Sequence, residues 1–303
     1  MMEVHRRAVT TRAEWLDWRR AYLCASELGA VCGLDDYRTP LSVYCDKAGL
    51  IMSQPDSPIM RRGRNFERAV LTYISEDYPD WRVEQPNVFL FENTHRLGAT
   101  PDAIVERPDY AGIVNCQIKT IALPSFENWE GTPPVSYTLQ VACENMLLNA
   151  DHGILAVLAV GNYSADLHVF DIPRHAGAEA RICEIADQFW QDMAAGRVPA
   201  ANYKQDAETI ASLYPEATSE SIDLSTDNRL GEALEERELL KLNVADMMEE
   251  ISALDAEIKH KIGEHAQALF PGWKITLKTQ TRKSYQVPEW SGRVLRVSRA
   301  KEK

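Results

Sequence analysis

The sequence predicts an α/β protein with a mixed central β-sheet flanked by helices, and with a long helix and a β-hairpin at its C-terminal end. Three observations predict it. Within residues 12–195, helical-period and strand-like segments follow in the order helix, helix, strand, strand, strand, helix, strand, strand, helix, the order of an α/β sandwich. Residues 153–160 are almost wholly apolar, as a strand buried on both faces requires. Between Gly231 and Gly263 there is no Gly or Pro, and Leu240, Val244, Met247, Ile251, Leu254, Ile258 and Ile262 recur at spacings of mostly four and three. That is the seam of a charged helical rod.

Thr11 followed by Glu14 is a capping-box signature, and Trp15, Leu16, Trp18 and Leu23 give the next helix an apolar side. Arg19 and Arg20 lie near its end. Ser26 is a good N-cap for a short second helix that stops at Gly33. A hydroxyl-capped helix N-terminus beside arginines is a suitable phosphate seat. Pro40 opens a helix to Ala48. A loop over 53–58 precedes a helix over 64–78, where Glu67 interrupts the apolar stripe of Leu71 and Ile74. Residues 83–91 read as one strand. The helix over 136–149 carries Tyr137, Gln140 and Glu144 on one side and Leu139, Ala142, Cys143 and Met146 on the other. Strands over 153–160 and 167–172 and a helix over 176–195 complete a core domain expected over 1–197. A linker over 198–230 leads to an extension over 231–303: the rod, roughly 45–50 Å long at 1.5 Å per residue, then a strand of Trp273, Ile275 and Leu277. Tyr285 and Val287 are expected to return as its hairpin partner across 280–283.

With 303 residues and 45% hydrophobic content, one large domain with an appendage has ample core. No apolar run reaches membrane-spanning length and residues 1–15 hold no apolar signal core, which points to the cytoplasm. The six cysteines include no Cys-x-x-Cys pair, so neither a zinc site nor a disulfide framework is indicated, and they read as small core residues. The net charge of −12 argues against nucleic acid only until its distribution is read. Residues 231–264 carry −6, residues 271–303 carry +7, and Arg61, Arg62, Arg64 and Arg68 form a local cluster. A DNA-contacting face on an acidic body is therefore available.

Residues 97–120 ask for a chemical explanation. Apolar runs at 103–105 and 113–114 flank a turn-rich 107–112, a pair of adjacent strands. Asp102 belongs to the first, Gln117 and Lys119 to the second, where alternation puts the latter two on one face and Ile118 on the other. A carboxylate, an amide and an ammonium gathered beside apolar neighbours are costly to bury without a role, although a solvated hairpin face carries the same residues.

Five blocks then form a pattern: Trp15…Arg19…Cys24-Ala25-Ser26-Glu27, Arg61-Arg62-Gly63…Glu67, Ala99-Thr100-Pro101-Asp102, Gln117-Ile118-Lys119 and Tyr137…Gln140. In order and spacing they resemble the YqaJ-like phage recombinase nucleases, relatives of lambda exonuclease in the PD-(D/E)xK nuclease superfamily. The resemblance covers residues 12–195, and the seam with residues 273–280 looks like the C-terminal extension common in YqaJ-type chains. It implies a restriction-endonuclease-like core. It also implies a 5′ to 3′ exonuclease that resects linear double-stranded DNA from 5′-phosphorylated ends, leaving a 3′ single strand for an annealing protein, and a ring-shaped homotrimer threaded by DNA. Carried over residue by residue, Asp102, Gln117, the Ile118 carbonyl and Glu67 hold Mg²⁺ or Mn²⁺, two ions in the full site. Lys119 orients or deprotonates water, Tyr137 and Gln140 brace the site, and Arg19, Ser26 and Thr100 take the terminal phosphate. The lack of a terminal Cys cluster argues against an iron–sulfur cofactor.

One residue departs from the family. Gln117 stands where the family has an acid, and losing a formal charge beside divalent cations weakens their binding. Three accounts of Gln117 compete: an inactivating substitution that traps substrate, a variant of reduced activity, and conversion to a non-catalytic DNA-end-binding protein. Retention of Asp102, Lys119, Glu67 and Gln140 favours the first, because a decaying site loses more than one member. A sequence-specific endonuclease of the same superfamily is a further alternative.

Overall fold

In the computed structural model, which describes residues 2–51, 57–284, 289 and 292–298, the Thr11 hydroxyl accepts from the Glu14 N–H and opens α1 (Arg12–Ala21). An edge strand precedes it: β1 (Val4–Ala8) pairs antiparallel with β4 (Val88–Glu92). After β2 (Leu23–Cys24) the chain does not use Ser26 as a helix cap. It makes a 3-10 turn over Ala25–Glu27, whose Glu27 carboxylate accepts from the Cys24 N–H, and only then α2 (Leu28–Val31). A carboxylate is the stronger acceptor, and its use leaves the Ser26 hydroxyl for another partner. Thr39 caps α3 (Pro40–Lys47) as expected. Helix α4 (Pro58–Asp77) starts six residues earlier than its apolar stripe suggests, because Ser57 caps it and Pro58 suits the first helical position.

The stretch read as one strand over 83–91 is two, since Pro86 lacks a ladder donor and Asn87 takes a left-handed φ of 48°. Its halves join different sheets. β3 (Arg82–Glu84) heads the five-stranded sheet β3-β6-β7-β8-β9, while β4 lies in the four-stranded sheet β1-β4-β5-β2 with β5 (Leu97–Ala99). The hairpin of β6 (Ala103–Arg107) and β7 (Tyr110–Ala122) is the expected strand pair. Two helices follow, α5 (Leu123–Glu127) and α6 (Val135–Leu148), and the crossover lets β8 (His152–Val160) run parallel to β7. β9 (Ala165–Pro173) returns antiparallel, and α7 (Ala176–Ala194) packs on α6.

Alternation in β7 and β8 sorts residues between two layers. Val114, Cys116 and Ile118, with Ile154, Ala156 and Leu158, meet Val70 and Ile74 of α4. Leu155 and Val157 meet Val141 and Tyr137 of α6, so Asn115, Gln117 and Lys119 share the α6 layer. Helix α6 lies close on β8: a Cβ at Gly153 would come within 2.4 Å of Asn145 Oδ1, so only glycine fits there. The close seating aims the polar face of α6 at β7. The cysteines are free, with Cys24, Cys45, Cys116 and Cys143 buried.

The chain divides into two units, Met1–Pro215 and Glu216–Lys303. Within residues 198–230, α8 (Ala207–Leu213) belongs to the first unit, where buried Asp206 accepts from the Thr39 hydroxyl. The second unit holds α9 (Asn228–Ile262), a rod of 35 residues, and a hairpin. The partner of β11 (Trp273–Thr276) is β10 (Gln267–Phe270), ahead of it and not after it. Pro271-Gly272 makes the tight turn, with Gly272 at φ 78°. Tyr285 and Val287 lie outside the described residues. No helix among the described residues is long and apolar enough to cross a membrane.

Candidate active site and phosphate pocket

Asp102 sits in the bend immediately before β6, one step short of the strand expected to hold it. Its Oδ2 accepts from the Ile118 N–H at 2.8 Å and from the Gln117 Nε2. The same Gln117 nitrogen donates to the Ile118 carbonyl at 3.2 Å. An amide oxygen turned this way would face a carboxylate and a carbonyl, so the nitrogen takes the place. Gln117 Oε1 is left buried without a partner. An orphaned buried oxygen is expensive.

On the same face, Lys119 Nζ donates to Gln140 Oε1 at 2.9 Å and lies 5.1 Å from the Tyr137 ring centroid. Gln140 Nε2 donates to Glu144 Oε1 at 3.0 Å, one helical turn on, and Asn115 Nδ2 donates to Glu144 Oε2 at 3.1 Å. Lys119 is thereby held at a fixed point between β7 and α6. Glu67 approaches from α4. Burial, and then the Asp102 charge, push its carboxyl up to about 7, against Arg64 and Lys119. Burial raises Asp102 as well. Burial and Asp102 push Glu144 up to about 8. Three acids that resist ionising together mark a place short of positive charge.

Among the described residues no group of three His, Cys, Asp or Glu side chains could alone hold a metal ion. Gln117, an amide beside Asp102, adds no carboxylate to such a group. The remaining oxygens still fit a hard divalent cation: the Asp102 carboxylate, the Ile118 carbonyl, the unpartnered Gln117 Oε1 and, from α4, Glu67. That set carries one formal charge fewer than a site with three acids.

A second constellation lies two residues away along the chain. Arg19 Nη2 donates to Ser26 Oγ and to Glu27 Oε1, both at 3.2 Å, and its guanidinium stacks 4.8 Å from the Trp15 ring centroid. Trp15 Nε1 donates to Thr100 Oγ1 at 3.0 Å. Below them Glu27 is fully buried and also meets Lys47 at 2.5 Å and Arg38 at 3.1 Å. Burial alone would raise Glu27, but Lys47, Arg19 and Arg38 outweigh it and hold its carboxyl at about 2. Glu27 gathers three cations, and Asp46 at 3.5 Å offsets Arg38, which leaves one net positive charge with Arg19 beside the Ser26 hydroxyl.

Asp102, Gln117, Ile118, Lys119, Tyr137 and Gln140 come together, with Glu67 coupled to them through charge. Arg19, Ser26 and Thr100 converge separately. The expected helix-end seat at Ser26 is not formed, because Ser26 is not a cap; Arg19 and the two hydroxyls are what the structure offers there. The sequence reading includes Glu27 in a motif block and Glu144 on the right face, both without a role, and does not single out Arg38 or Lys47. A buried acid paired with a buried lysine leaves no local pattern, whereas Gln140 and Glu144 at i and i+4 were readable.

The Bacillus subtilis (strain 168) protein YqaJ, itself uncharacterized, is 25% identical over 267 residues, spanning 83% of this chain and 78% of its own. Among solved structures, the alkaline exonuclease LHK-Exo of Laribacter hongkongensis aligns over 66% of this chain and 100% of its own, at 15% identity and a TM-score of 0.47. A phage-related exonuclease from Haemophilus somnus 129PT aligns over 60% and 99%, at 10% identity and a TM-score of 0.42. The model of the YqaJ-like viral recombinase domain matches residues 14–147, the segment that holds every side chain of both constellations. Over that segment the chain is similar to the YqaJ-like viral recombinase family.

Proposed function

We propose that this chain is a recombination exonuclease. It digests linear double-stranded DNA 5′ to 3′ from a 5′-phosphorylated end, leaves a 3′ strand for an annealing protein, and is held in an impaired form by Gln117. The observation that carries this reading is the nearness of the two constellations. Thr100 belongs to one and Asp102 to the other, and consecutive Cα spacing keeps them within roughly 7 Å. A strand end seated by its phosphate therefore presents a neighbouring phosphodiester to the acids.

Asp102, the Ile118 carbonyl, Gln117 and Glu67 would hold Mg²⁺ or Mn²⁺, one ion or two, which would supply Lewis acidity. The rest is the work of this chain's side chains. Arg19 pairs with the terminal phosphate while Ser26 and Thr100 donate hydroxyl hydrogens to it. Lys119, steered by Gln140 and backed by the Tyr137 ring, orients the attacking water. Arg61 and Arg62 at the exposed start of α4 suit the duplex backbone. A ring-shaped homo-oligomer around the duplex accords with the family resemblance.

A second reading has its own observation. The Gln117 amide bonds to Asp102 and to the Ile118 carbonyl in an arrangement that needs no cation, which suits a DNA-end-binding protein without catalysis. The test is Gln117→Glu with Mg²⁺ on linear 5′-phosphorylated and circular duplex. Loss of the linear form alone supports the exonuclease. An inert variant that still binds ends supports the second reading, and cuts at defined sites in the circle indicate an endonuclease.

A further inference from the structure

The seam of α9 is exposed along its length within its own unit: Leu240, Val244, Met247, Ile251, Leu254 and Ile258 are between 41% and 61% exposed. A continuous apolar stripe on a rod of 35 residues marks an interaction surface. Its residue types say what covers it. Spacings alternate four and three, so Val244, Ile251 and Ile258 occupy one heptad position, a, and Leu240, Met247 and Leu254 the other, d. All three a residues are β-branched and all three d residues are unbranched at Cβ. In parallel coiled coils that segregation selects two strands, whereas branched residues at d or Leu at a shift the preference to three or four. Antiparallel pairing would set a against d and lose the distinction.

Charges at the flanking positions do not decide direction. In a parallel pair Glu236 at g faces the second copy's e position, which is Lys241, once on each side. An antiparallel pair opposes g to g, where Glu250 repels its own copy, and e to e, where Lys241 attracts Asp255. Glu250 opposite Asp255 opposes the parallel pair, but such exposed charges are screened and weak.

We propose that α9 forms a parallel, in-register, two-stranded coiled coil with α9 of a second copy of this chain. The proposal does not rest on the nuclease reading and concerns α9 alone: whether residues 1–215 stand singly or in a ring, pairing through α9 doubles the assembly and its loss halves the mass. The full chain carrying Leu254→Cys, under mild oxidation, is expected to give at least about tenfold more covalent dimer than Ser252→Cys, because identical d residues face each other within disulfide reach and position 252 points outward. In light scattering, Ile251→Glu with Leu254→Glu is expected to halve the solution mass while far-UV circular dichroism keeps its helical signal, Glu being a good helix former. Equal or absent cross-linking at the two positions overturns the proposal and assigns the seam to another occupant. An unchanged mass, or a threefold fall, overturns it as well.

Discussion

Gln117→Glu in the absence of metal is the most informative perturbation. The substitution removes the amide donor that Asp102 and the Ile118 carbonyl share and sets a second carboxylate beside one whose pKa is already raised by burial. A hydrogen bond to a charged group contributes about 1.5–3 kcal/mol. Adding the repulsion between neighbouring carboxylates, the expected destabilisation is about 2–4 kcal/mol, or roughly 5–15 °C in Tm for a unit of this size. The loss should be smallest below about pH 4.5, where carboxyls are protonated, and grow as pH rises. Manganese at one hundred times its Kd returns about 2.7 kcal/mol. The assay is a thermal melt of parent and variant in EDTA and in Mn²⁺. The variant should melt lower than the parent in EDTA and recover in Mn²⁺, with a smaller shift for the parent. A variant as stable as the parent in EDTA, or a parent stabilised equally by Mn²⁺, refutes the reasoning.

Glu27→Gln leaves the buried Lys47 ammonium without its carboxylate and should cost about 3–5 kcal/mol in urea unfolding. Because Glu27 is held at about 2 against an ordinary 4.5, its contribution is present above pH 4.5 and lost as pH falls towards 2, so the variant should show a shallower acid limb. Glu67 and Glu144 shift the other way, to about 7 and about 8. Their contribution is present below pH 4.5 and lost as pH rises through 7 and 8. Metal-free protein should therefore weaken across that window in urea titrations, and Glu144→Gln should flatten its upper part. Arg19→Ala should reduce the preference for a 5′-phosphate over a 5′-hydroxyl end by about ten- to a hundredfold in competition binding, the scale of a charge-assisted bond.

What could be read from the chain follows from how local each signal is. The Thr11 and Thr39 caps, the face of α6 and the apolar run of β8 are local, and they appear where the pattern puts them. β1 was invisible because His5-Arg6-Arg7 is a polar edge whose pairing with β4 lies over eighty residues away. The split of 83–91 into two sheets turns on Pro86 and Asn87, whose effect a run of apolar residues conceals. At the site, strand alternation placed Gln117 and Lys119 on one face, and the hairpin brought Asp102 to them. Glu27, Lys47 and Arg19 are separated in sequence and meet only because α1, the 3-10 turn and α3 pack together. Each alone reads as an ordinary charged residue. The bond from Gln117 to Asp102 could not be read either, since an amide at that position says nothing of which end it turns inward.

The central claim is tested most directly by strand polarity. The substrate is a linear duplex with one 5′-phosphorylated end and one 5′-hydroxyl end, each strand separately labelled, incubated with Gln117→Glu and Mg²⁺. The strand that begins with the phosphate should disappear from its 5′ end while its complement stays intact. Loss from a 3′ end, equal loss of both strands, or internal cuts would contradict the assignment of Arg19, Ser26 and Thr100 as the phosphate seat beside Asp102.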